Sequence, residues 1–276
     1  MLKATARALL VGLGYYPPGR QVCVFENDIF IVSYPKSGNT WLRFLVASLV
    51  SDPHRIDFTN IDRIIPDIYQ HTERALQALK RPRIIKSHEY FDRRYGRVIY
   101  IVRDPRDVAV SYYYHHIKQR LIPEDLGFEG FLDRFLAGTL DAYGSWHEHV
   151  GSWIGARADR DDFLLLRYED LSRSAEDELE RVAEFLDLHV TKARLHRTVE
   201  QCSFEEMRRL ERHQAHLTST LRSSRQDIGF VRSAAVGGWQ QEIAPALAAR
   251  IVDRWGRTMA ELNYAEEQSS RRREHT

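Results

Sequence analysis

Short apolar runs alternate with longer amphipathic stretches along most of the chain. Four runs, most of them with β-branched residues, predict buried strands at residues 29–34, 83–87, 97–103 and 163–168. Helical periodicity predicts helices at residues 40–50, 105–119, 174–186 and 243–262. Strands that alternate with helices indicate an α/β fold, with a central parallel sheet of about five strands flanked by helices on both faces.

The composition fits one domain. The 276 residues are 43% hydrophobic, which is enough for one large core, and no linker rich in proline, glycine or serine divides them. We therefore predict a single domain over residues 1–276. Within it, the first 20 or so residues should form a peripheral N-terminal extension, and residues 266–276 a polar peripheral tail.

The charge balance argues against a general nucleic-acid binder, because 40 basic residues face 39 acidic ones. Any anion site must therefore be local. No apolar stretch approaches the roughly 20 residues of a membrane span. The two cysteines, Cys23 and Cys202, fit a reducing compartment and lack neighbours at metal-ligand spacing. We expect a cytoplasmic protein that binds no nucleic acid and does not span a membrane.

The turn between the first predicted strand and the first predicted helix has the chemistry of a phosphate cradle. It reads Tyr34-Pro35-Lys36-Ser37-Gly38-Asn39-Thr40-Trp41. Backbone N–H groups and the positive dipole end of a helix attract an anion, Lys36 adds a charge, and the hydroxyls add donors. The order differs from the nucleoside-triphosphate loop, because the lysine precedes the glycine. An ordinary strand–turn–helix corner is the alternative for this motif alone.

This inverted order resembles the 5′-phosphosulfate loop of sulfotransferases, whose sulfuryl donor is 3′-phosphoadenosine 5′-phosphosulfate (PAPS). The family pattern is Tyr-Pro-Lys-Ser-Gly-Thr-Thr-Trp, and this chain departs from it at Asn39. Asparagine still offers donors and suits a helix start. The resemblance implies a P-loop-like fold in which Trp41 stacks on the adenine and the preceding loop holds the phosphosulfate, through Lys36, Ser37, Gly38, Asn39 and Thr40.

A histidine directly follows the second predicted strand, where residues 84–88 read Ile-Ile-Lys-Ser-His. The carboxyl end of a buried strand places His88 in the crevice where such sheets bind ligands. Its unperturbed pKa near ~6.5 suits a general base, and a structural histidine is the alternative. The segment resembles the family's Lys-Thr/Ser-His, which implies that His88 removes the proton of the acceptor and Lys86 helps to neutralise the transferring group. The following residues, Glu89 to Phe91, should line the acceptor site.

The third predicted strand ends at Arg103, and Asp104 and Pro105 then begin a helix. A planar guanidinium binds two phosphate oxygens at once, whereas an ion pair with a nearby aspartate is the alternative. The run over residues 103–112 resembles the family's 3′-phosphate site, which implies donor contacts from Arg103 and Ser111. Tyr168, Ser203 and Phe204 similarly match family residues beside the nucleoside, although aromatic residues are usually core.

The last matching segment, residues 230–239, lies in a stretch that contains six arginines between residues 208 and 238 and suggests a basic lid or a solvated loop. The family pattern is Phe-x-Arg-Lys-Gly-x-x-Gly-Asp-Trp-Lys. It implies 3′-phosphate contacts from Arg232, Ser233 and Ala234. Because the family has lysine and glycine at the last two positions, this chain has lost charge there.

The resemblance spans residues 29–240 and implies a sulfotransferase. An acceptor hydroxyl or amine would lose its proton to His88 and attack sulfur in line with the leaving phosphate oxygen, while Lys36 and the loop N–H groups stabilise the charge on that oxygen. A nucleotide or small-molecule kinase and a non-catalytic relative that binds PAPS or its product PAP are the alternatives. We expect no metal, because no cysteine–histidine cluster or carboxylate pair lies beside the cradle.

The acceptor is expected to be a small molecule with a hydroxyl group, because aromatic residues cluster near its predicted site. The adjacent His115 and His116 point about 100° apart on a helix, so they suit packing and pocket lining better than metal chelation. The dimer segment of many cytosolic relatives, Lys-x-x-x-Thr-Val-x-x-x-Glu, is missing after Trp239. We therefore expect no dimer of that type.

Overall fold

Four parallel strands form the centre of the computed structural model, which describes residues 19–51, 54–217 and 222–264. They are β1 (Ile29–Val32), β2 (Ile84–Ser87), β3 (Arg97–Val102) and β4 (Phe163–Arg167), in the order β2-β1-β3-β4. In the register, Val32 at the end of β1 lies beside Ser87 of β2 and Tyr100 of β3. All four predicted strands are confirmed. The described residues contain four strands against the estimate of about five, because the segment beside the β2 edge pairs only through one isolated bridge, from Asp67 to Lys86.

Twelve α-helices surround the sheet in the described residues, besides three short 3₁₀ helices at Gly19–Gln21, Glu124–Leu126 and Ala215–Leu217. The α-helices are α1 (Asn39–Val50), α2 (Ile61–Ile64), α3 (Glu73–Gln77), α4 (Pro105–Lys118), α5 (Gly127–Ala137), α6 (Trp146–Arg157), α7 (Tyr168–Arg173), α8 (Ala175–Phe185), α9 (Lys192–Gln201), α10 (Phe204–Gln214), α11 (Trp239–Glu242) and α12 (Pro245–Glu261). The four predicted helices correspond to α1, α4, α8 and α12. The basic stretch that begins at residue 208 is in its first part the helix α10, not a loop.

Alternation along the buried strands divides the core between the two faces of the sheet. Phe30 of β1 belongs to a cluster that includes aromatic residues of α5, α6 and α12. Its neighbour Ile31 belongs to a second cluster, with leucines of α1, α8 and α9. Helices therefore cover both faces, as the sequence predicts, and the central strand β1 is buried along its whole length.

The carboxyl ends of all four strands meet at one edge of the sheet, which is where ligands bind in parallel α/β folds. β1 leads into the loop before α1, β2 ends beside His88, β3 leads into Arg103, and β4 leads into Tyr168. The predicted site residues on these four segments are thus brought to the same edge.

Two predictions lie mainly beyond the described residues. Of the predicted N-terminal extension only residues 19 and 20 are described, and the tail over residues 266–276 is not. The single-domain assignment stays a prediction. Within residues 19–51, 54–217 and 222–264, none of the helices combines the length and apolar content that crossing a membrane requires.

Candidate active site

The loop between β1 and α1 makes a tight turn, and hydrogen-bond donors at its end have no protein partner among the described residues. Lys36 has a φ of 67°. Gly38, directly before α1, has a φ of 99°, and a Cβ there would lie 2.5 Å from Cδ2 of Tyr168. The start of α1 has no side-chain cap, and the fully buried Oγ of Ser37 has no partner among the described residues. Such unsatisfied donors at a helix start fit a phosphosulfate anion, so these residues suit PAPS.

The ammonium group of Lys36 lies at this loop. Its pKa is lowered to about 8, mainly by burial and secondly by the positive charge of the Arg103 guanidinium. Its Nζ lies 4.8 Å from the centre of the Phe230 ring. Lys36 also lines a small cavity together with Ser111, His115 and Arg232. Two residues predicted to bind the 3′-phosphate, Ser111 and Arg232, therefore face the lysine that is predicted to bind the phosphosulfate.

The Asn39 side chain has a protein partner that the sequence does not indicate. Its Nδ2 donates to Oγ of Ser33 at 3.2 Å, and its Oδ1 is buried with no partner among the described residues. The amide nitrogen is thereby engaged with the end of β1. Thr40 is half-buried in the first turn of α1, where its hydroxyl lies at the helix start.

His88 is held in one tautomer. Its Nδ1 lies 2.7 Å from the backbone oxygen of Ser33, and two acceptors would repel at that distance, so Nδ1 carries the proton and donates. The backbone N–H of His88 donates to the Tyr69 hydroxyl at 3.0 Å. Within the described ranges no group bonds to Nε2. The ring therefore presents a bare nitrogen lone pair, which is what a general base requires.

The surroundings of His88 keep its ring neutral. Burial, and secondly the Lys86 ammonium, hold the pKa of His88 well below its ordinary value. Lys86 itself donates to Asp67 at 2.6 Å. Although burial acts to raise it, the pKa of Asp67 lies below its usual range because of the Lys86 charge. The predicted catalytic lysine is thus paired with a buried carboxylate that no sequence pattern had marked.

Two tyrosines form walls beside the base. The Tyr69 ring lies nearly parallel to the His88 ring at 6.2 Å between centres, and the Tyr143 ring meets it edge-on at 5.6 Å. The Tyr69 hydroxyl also donates to Glu89 at 3.0 Å. Glu89 is therefore engaged by Tyr69, while Phe91 packs edge-on against Trp153 at 5.5 Å. The described walls beside His88 come from the two tyrosines, which no local sequence signal marked.

Most of the predicted 3′-phosphate residues lie on or contact one segment, residues 229–239, which we call the lid segment. Arg103 donates to the Ala235 oxygen at 2.8 Å, and its guanidinium lies 4.1 Å from the Tyr168 ring centre. It also lies 3.6 Å from Asp107, so the ion pair that was the alternative for Arg103 is present as well. Arg232, which lines the cavity beside Lys36, forms an ion pair with Glu242.

Backbone contacts fasten the lid segment above the loop. Tyr168 donates its hydroxyl to the Ala234 oxygen at 2.9 Å, and Ala234 adopts a φ of 52°. Asp107 accepts from the N–H groups of Gly237 and Trp239 at 2.8 and 3.0 Å. Ser233 is exposed on the outside of this segment. A lysine side chain at that position would therefore reach any phosphate only by folding back.

The predicted nucleoside contacts lie side by side. The Trp41 indole N–H donates to the Cys202 oxygen at 2.9 Å, and its ring meets that of Tyr168 edge-on at 5.7 Å. Ser203 follows directly and caps α10, where its hydroxyl accepts from a backbone N–H at 3.4 Å. Phe204 is half-buried at the first position of the same helix.

Comparison with known proteins matches this arrangement to the sulfotransferase domain family over residues 26–263. The chain belongs to the sulfotransferase family. It is therefore an enzyme that transfers a sulfuryl group, and this membership does not support the kinase alternative.

Two relatives indicate the breadth of the family around this sulfotransferase. Sulfotransferase 1B1 of Mus musculus is 33% identical over 231 residues, which cover 78% of this chain and 76% of the relative. The 3-beta-hydroxysteroid sulfotransferase of Cavia porcellus is 31% identical over 236 residues, which cover 82% of this chain and 81% of the relative.

Solved structures share the fold of this sulfotransferase. A mouse sulfotransferase complexed with PAP superimposes with a TM-score of 0.71 at 24% identity, covering 93% of this chain and 94% of that chain. A retinol dehydratase in a complex with retinol and PAP gives a TM-score of 0.68 at 19% identity, covering 88% of this chain and 84% of that chain. Identities this low establish the fold alone.

Metal-ligating side chains do not gather anywhere in the part of the chain that the structure describes. No group of three or more histidine, cysteine, aspartate or glutamate residues there could hold a metal ion. Positive charge at the loop between β1 and α1, which we call the donor loop for its predicted ligand, comes from Lys36, the neighbouring Lys86 and Arg103, and the N-terminus of α1.

Proposed function

We propose that this sulfotransferase transfers the sulfuryl group of PAPS to a hydroxyl or amine of a small-molecule acceptor, with His88 as the general base. The observation that carries the proposal is the single tautomer of His88, whose bare Nε2 lies between two tyrosine walls at the carboxyl edge of the sheet. A neutral imidazole held in this way accepts a proton without first losing one.

The donor loop and the lid supply complementary contacts for the two phosphate ends. Lys36, the Ser37 hydroxyl and the first N–H groups of α1 would hold the 5′-phosphosulfate. The 3′-phosphate would lie among Arg103, Ser111 and Arg232, with backbone groups of Ser233 and Ala234. The adenine would lie by Trp41, Tyr168, Ser203 and Phe204. When bound, PAPS supplies the sulfuryl group, and the nucleotide product is adenosine 3′,5′-bisphosphate, PAP.

In an in-line transfer, His88, Lys36 and Lys86 would each have a separate function. His88 takes the acceptor proton on Nε2 while Ser33 keeps the opposite nitrogen protonated. Lys36 and the α1 N-terminus stabilise the charge that grows on the leaving phosphate oxygen. Lys86, already paired with Asp67, adds positive potential beside the base without carrying an uncompensated buried charge.

The aromatic walls and the names of related proteins support the proposed acceptor class. Tyr69 and Tyr143 present apolar ring surface beside the base, which suits an apolar small molecule that carries a hydroxyl. The names of two relatives refer to a hydroxysteroid and to retinol, which share that chemistry. We further propose that the enzyme acts in the cytoplasm, needs no metal, binds no nucleic acid and forms no dimer through the Lys-x-x-x-Thr-Val-x-x-x-Glu segment.

An acceptor screen with labelled PAPS in excess chelator tests the proposal. Label should pass to hydroxyl-bearing acceptors, and His88→Ala should lower kcat by about 10²–10⁴ while PAP binding, measured by calorimetry, persists. His189→Ala is the matched control, because His189 is exposed between α8 and α9.

Two results would contradict the proposal. Turnover by His88→Ala close to that of the unmodified enzyme would remove the base from its assigned position. Loss of transfer in chelator, with recovery on adding magnesium, would return the kinase reading to consideration.

A further inference from the structure

His149 is a buried histidine that takes no part in the chemistry described so far. It lies on α6 with no solvent exposure, and both ring nitrogens have partners. Its Nε2 lies 2.9 Å from the backbone oxygen of His88, and its Nδ1 lies 3.0 Å from the hydroxyl of Tyr100. A chain of two hydrogen bonds therefore joins the middle of β3 to the predicted base.

The chemistry of the two partners fixes the direction of both bonds. A carbonyl oxygen only accepts, so Nε2 of His149 must carry the proton and donate to His88. Nδ1 is then the acceptor and takes the hydroxyl hydrogen of Tyr100. Burial raises the pKa of Tyr100, so that its hydroxyl keeps its hydrogen, and burial lowers the pKa of His149 to about 4. At physiological pH, Tyr100 and His149 are thus both neutral, and the His149 ring has a single tautomer.

The hydrogen bond from His149 to the His88 carbonyl holds the backbone just beyond the end of β2. β2 ends at Ser87, whose strand partner is the last residue of β1, so the His88 carbonyl lies beyond the paired part of the sheet. The side chain of His88 is held by Ser33, and its N–H is held by Tyr69. His149 supplies the third hold, on the carbonyl, and leaves Nε2 of His88 free.

We propose that His149 is a positioning residue for His88, and that Tyr100 holds His149 in the tautomer that can do so. The inference rests on the proposed function in one respect, the assignment of His88 as the base. His149 touches neither donor nor acceptor in this scheme. It acts by fixing the backbone from which the base projects, which sets the distance between Nε2 and the reacting proton.

Three substitutions separate the hydrogen bonds from simple packing. His149→Leu removes both bonds, His149→Gln keeps an N–H at about the reach of Nε2, and Tyr100→Phe removes only the hydroxyl. The matched control is Tyr95→Phe, because the Tyr95 hydroxyl is also buried but contacts Ser87 at 3.1 Å instead. Each variant is measured for kcat and KM with PAPS, for PAP affinity and for thermal unfolding.

A positioning function predicts a loss in kcat without a matching loss in donor binding. His149→Leu should lower kcat about two- to tenfold, the rate equivalent of one hydrogen bond, with PAP affinity changed less than twofold. His149→Gln should recover most of that loss, Tyr100→Phe should fall between, and Tyr95→Phe should match the unmodified enzyme. In a His88→Ala background, His149→Leu should lower the residual rate no further, because coupled residues are not additive.

Histidine ¹⁵N NMR gives a readout that needs no acceptor. Unmodified enzyme should show His149 with its proton on Nε2 alone, and Tyr100→Phe should introduce the other tautomer. If His149→Leu does not fold, Tyr100→Phe and His149→Gln carry the kinetic test.

Three results would overturn the inference while the proposed function stands: unchanged kcat in His149→Leu, an equal loss in the His88→Ala background, or a His149 proton on Nδ1. Failure of the proposed function is distinguishable, because then the unmodified enzyme transfers no sulfuryl group or His88→Ala is as active as the unmodified enzyme.

Discussion

At Gly38, in the donor loop, the backbone adopts a conformation that favours glycine, and there is no room for a side chain. Its φ of 99° lies in the left-handed region, and an added Cβ would approach Cδ2 of Tyr168 to 2.5 Å and Cδ1 of Ile101 to 3.3 Å. Gly38→Ala therefore cannot be accommodated unless the loop or the Tyr168 ring moves. Because Tyr168 also holds the lid through the Ala234 oxygen, the change should reach both halves of the donor site.

The expected magnitude follows from three contributions. An L-residue in the left-handed region costs about 1–2 kcal/mol, and loss of the Tyr168 hydrogen bond costs about 0.5–1.5 kcal/mol. The reduced entropy of the unfolded chain offsets about 0.4–1 kcal/mol. The free energy of unfolding should thus fall by about 0.5–3 kcal/mol. For a chain of this size that lowers Tm by roughly 1–12 °C.

Thermal unfolding and calorimetric titration with PAP test this expectation together. Gly38→Ala should lower Tm as stated and weaken PAP at least tenfold. Gly151→Ala is the matched control, because Gly151 lies exposed in α6 with nothing within 4 Å of an added Cβ. That control should gain about 0.5–1 kcal/mol, since alanine favours a helix over glycine. If Gly38→Ala kept both the Tm and the PAP affinity of the unmodified enzyme, the steric reasoning would be wrong.

Three other predictions concern charge at the donor site. With the pKa of Lys36 at about 8 and that of His88 well below 6.5, kcat/KM for PAPS should be level between about pH 6.5 and 7 and fall to half near pH 8; a decline on lowering the pH from 7 to 6.5 would contradict the His88 environment. Arg103→Ala should weaken PAP by about 1.5–3 kcal/mol in calorimetry and barely affect adenosine 5′-phosphate, whereas equal losses would indicate a structural function. Ser233→Lys should tighten PAP at low salt, and an unchanged affinity would show that the exposed position cannot reach the phosphate.

Local sequence patterns sufficed for the sheet and for the order of its site residues. The apolar runs mark β1 to β4 because strands of a sheet covered on both faces are nearly continuous runs of apolar residues. Once the strands are parallel, the residues that follow them share an edge, so the juxtaposition of Lys36, His88 and Arg103 follows from topology alone.

The residues that contact His88 and Lys86 could not be predicted from the sequence in the same way. His149 and Tyr69 lie 61 and 19 positions from His88 along the chain, and nothing in their own neighbourhood marks them. Asp67 comes beside Lys86 through an isolated bridge outside the predicted strands. Contacts of this kind depend on how whole elements pack, and periodicity within one element carries no information about them.

The lid shows why a departure from a family pattern need not remove a contact. Tyr168 and Arg103 donate to the backbone oxygens of Ala234 and Ala235, and Asp107 accepts from the backbone of Gly237. Every residue type offers those backbone groups, so replacing the family's lysine and glycine by serine and alanine leaves the fastening of the segment intact. What changes is the charge at the exposed Ser233, together with a strain of about 1–2 kcal/mol at the left-handed Ala234. We therefore expect the departures to alter how strongly this lid binds the donor, and not whether it closes over the loop.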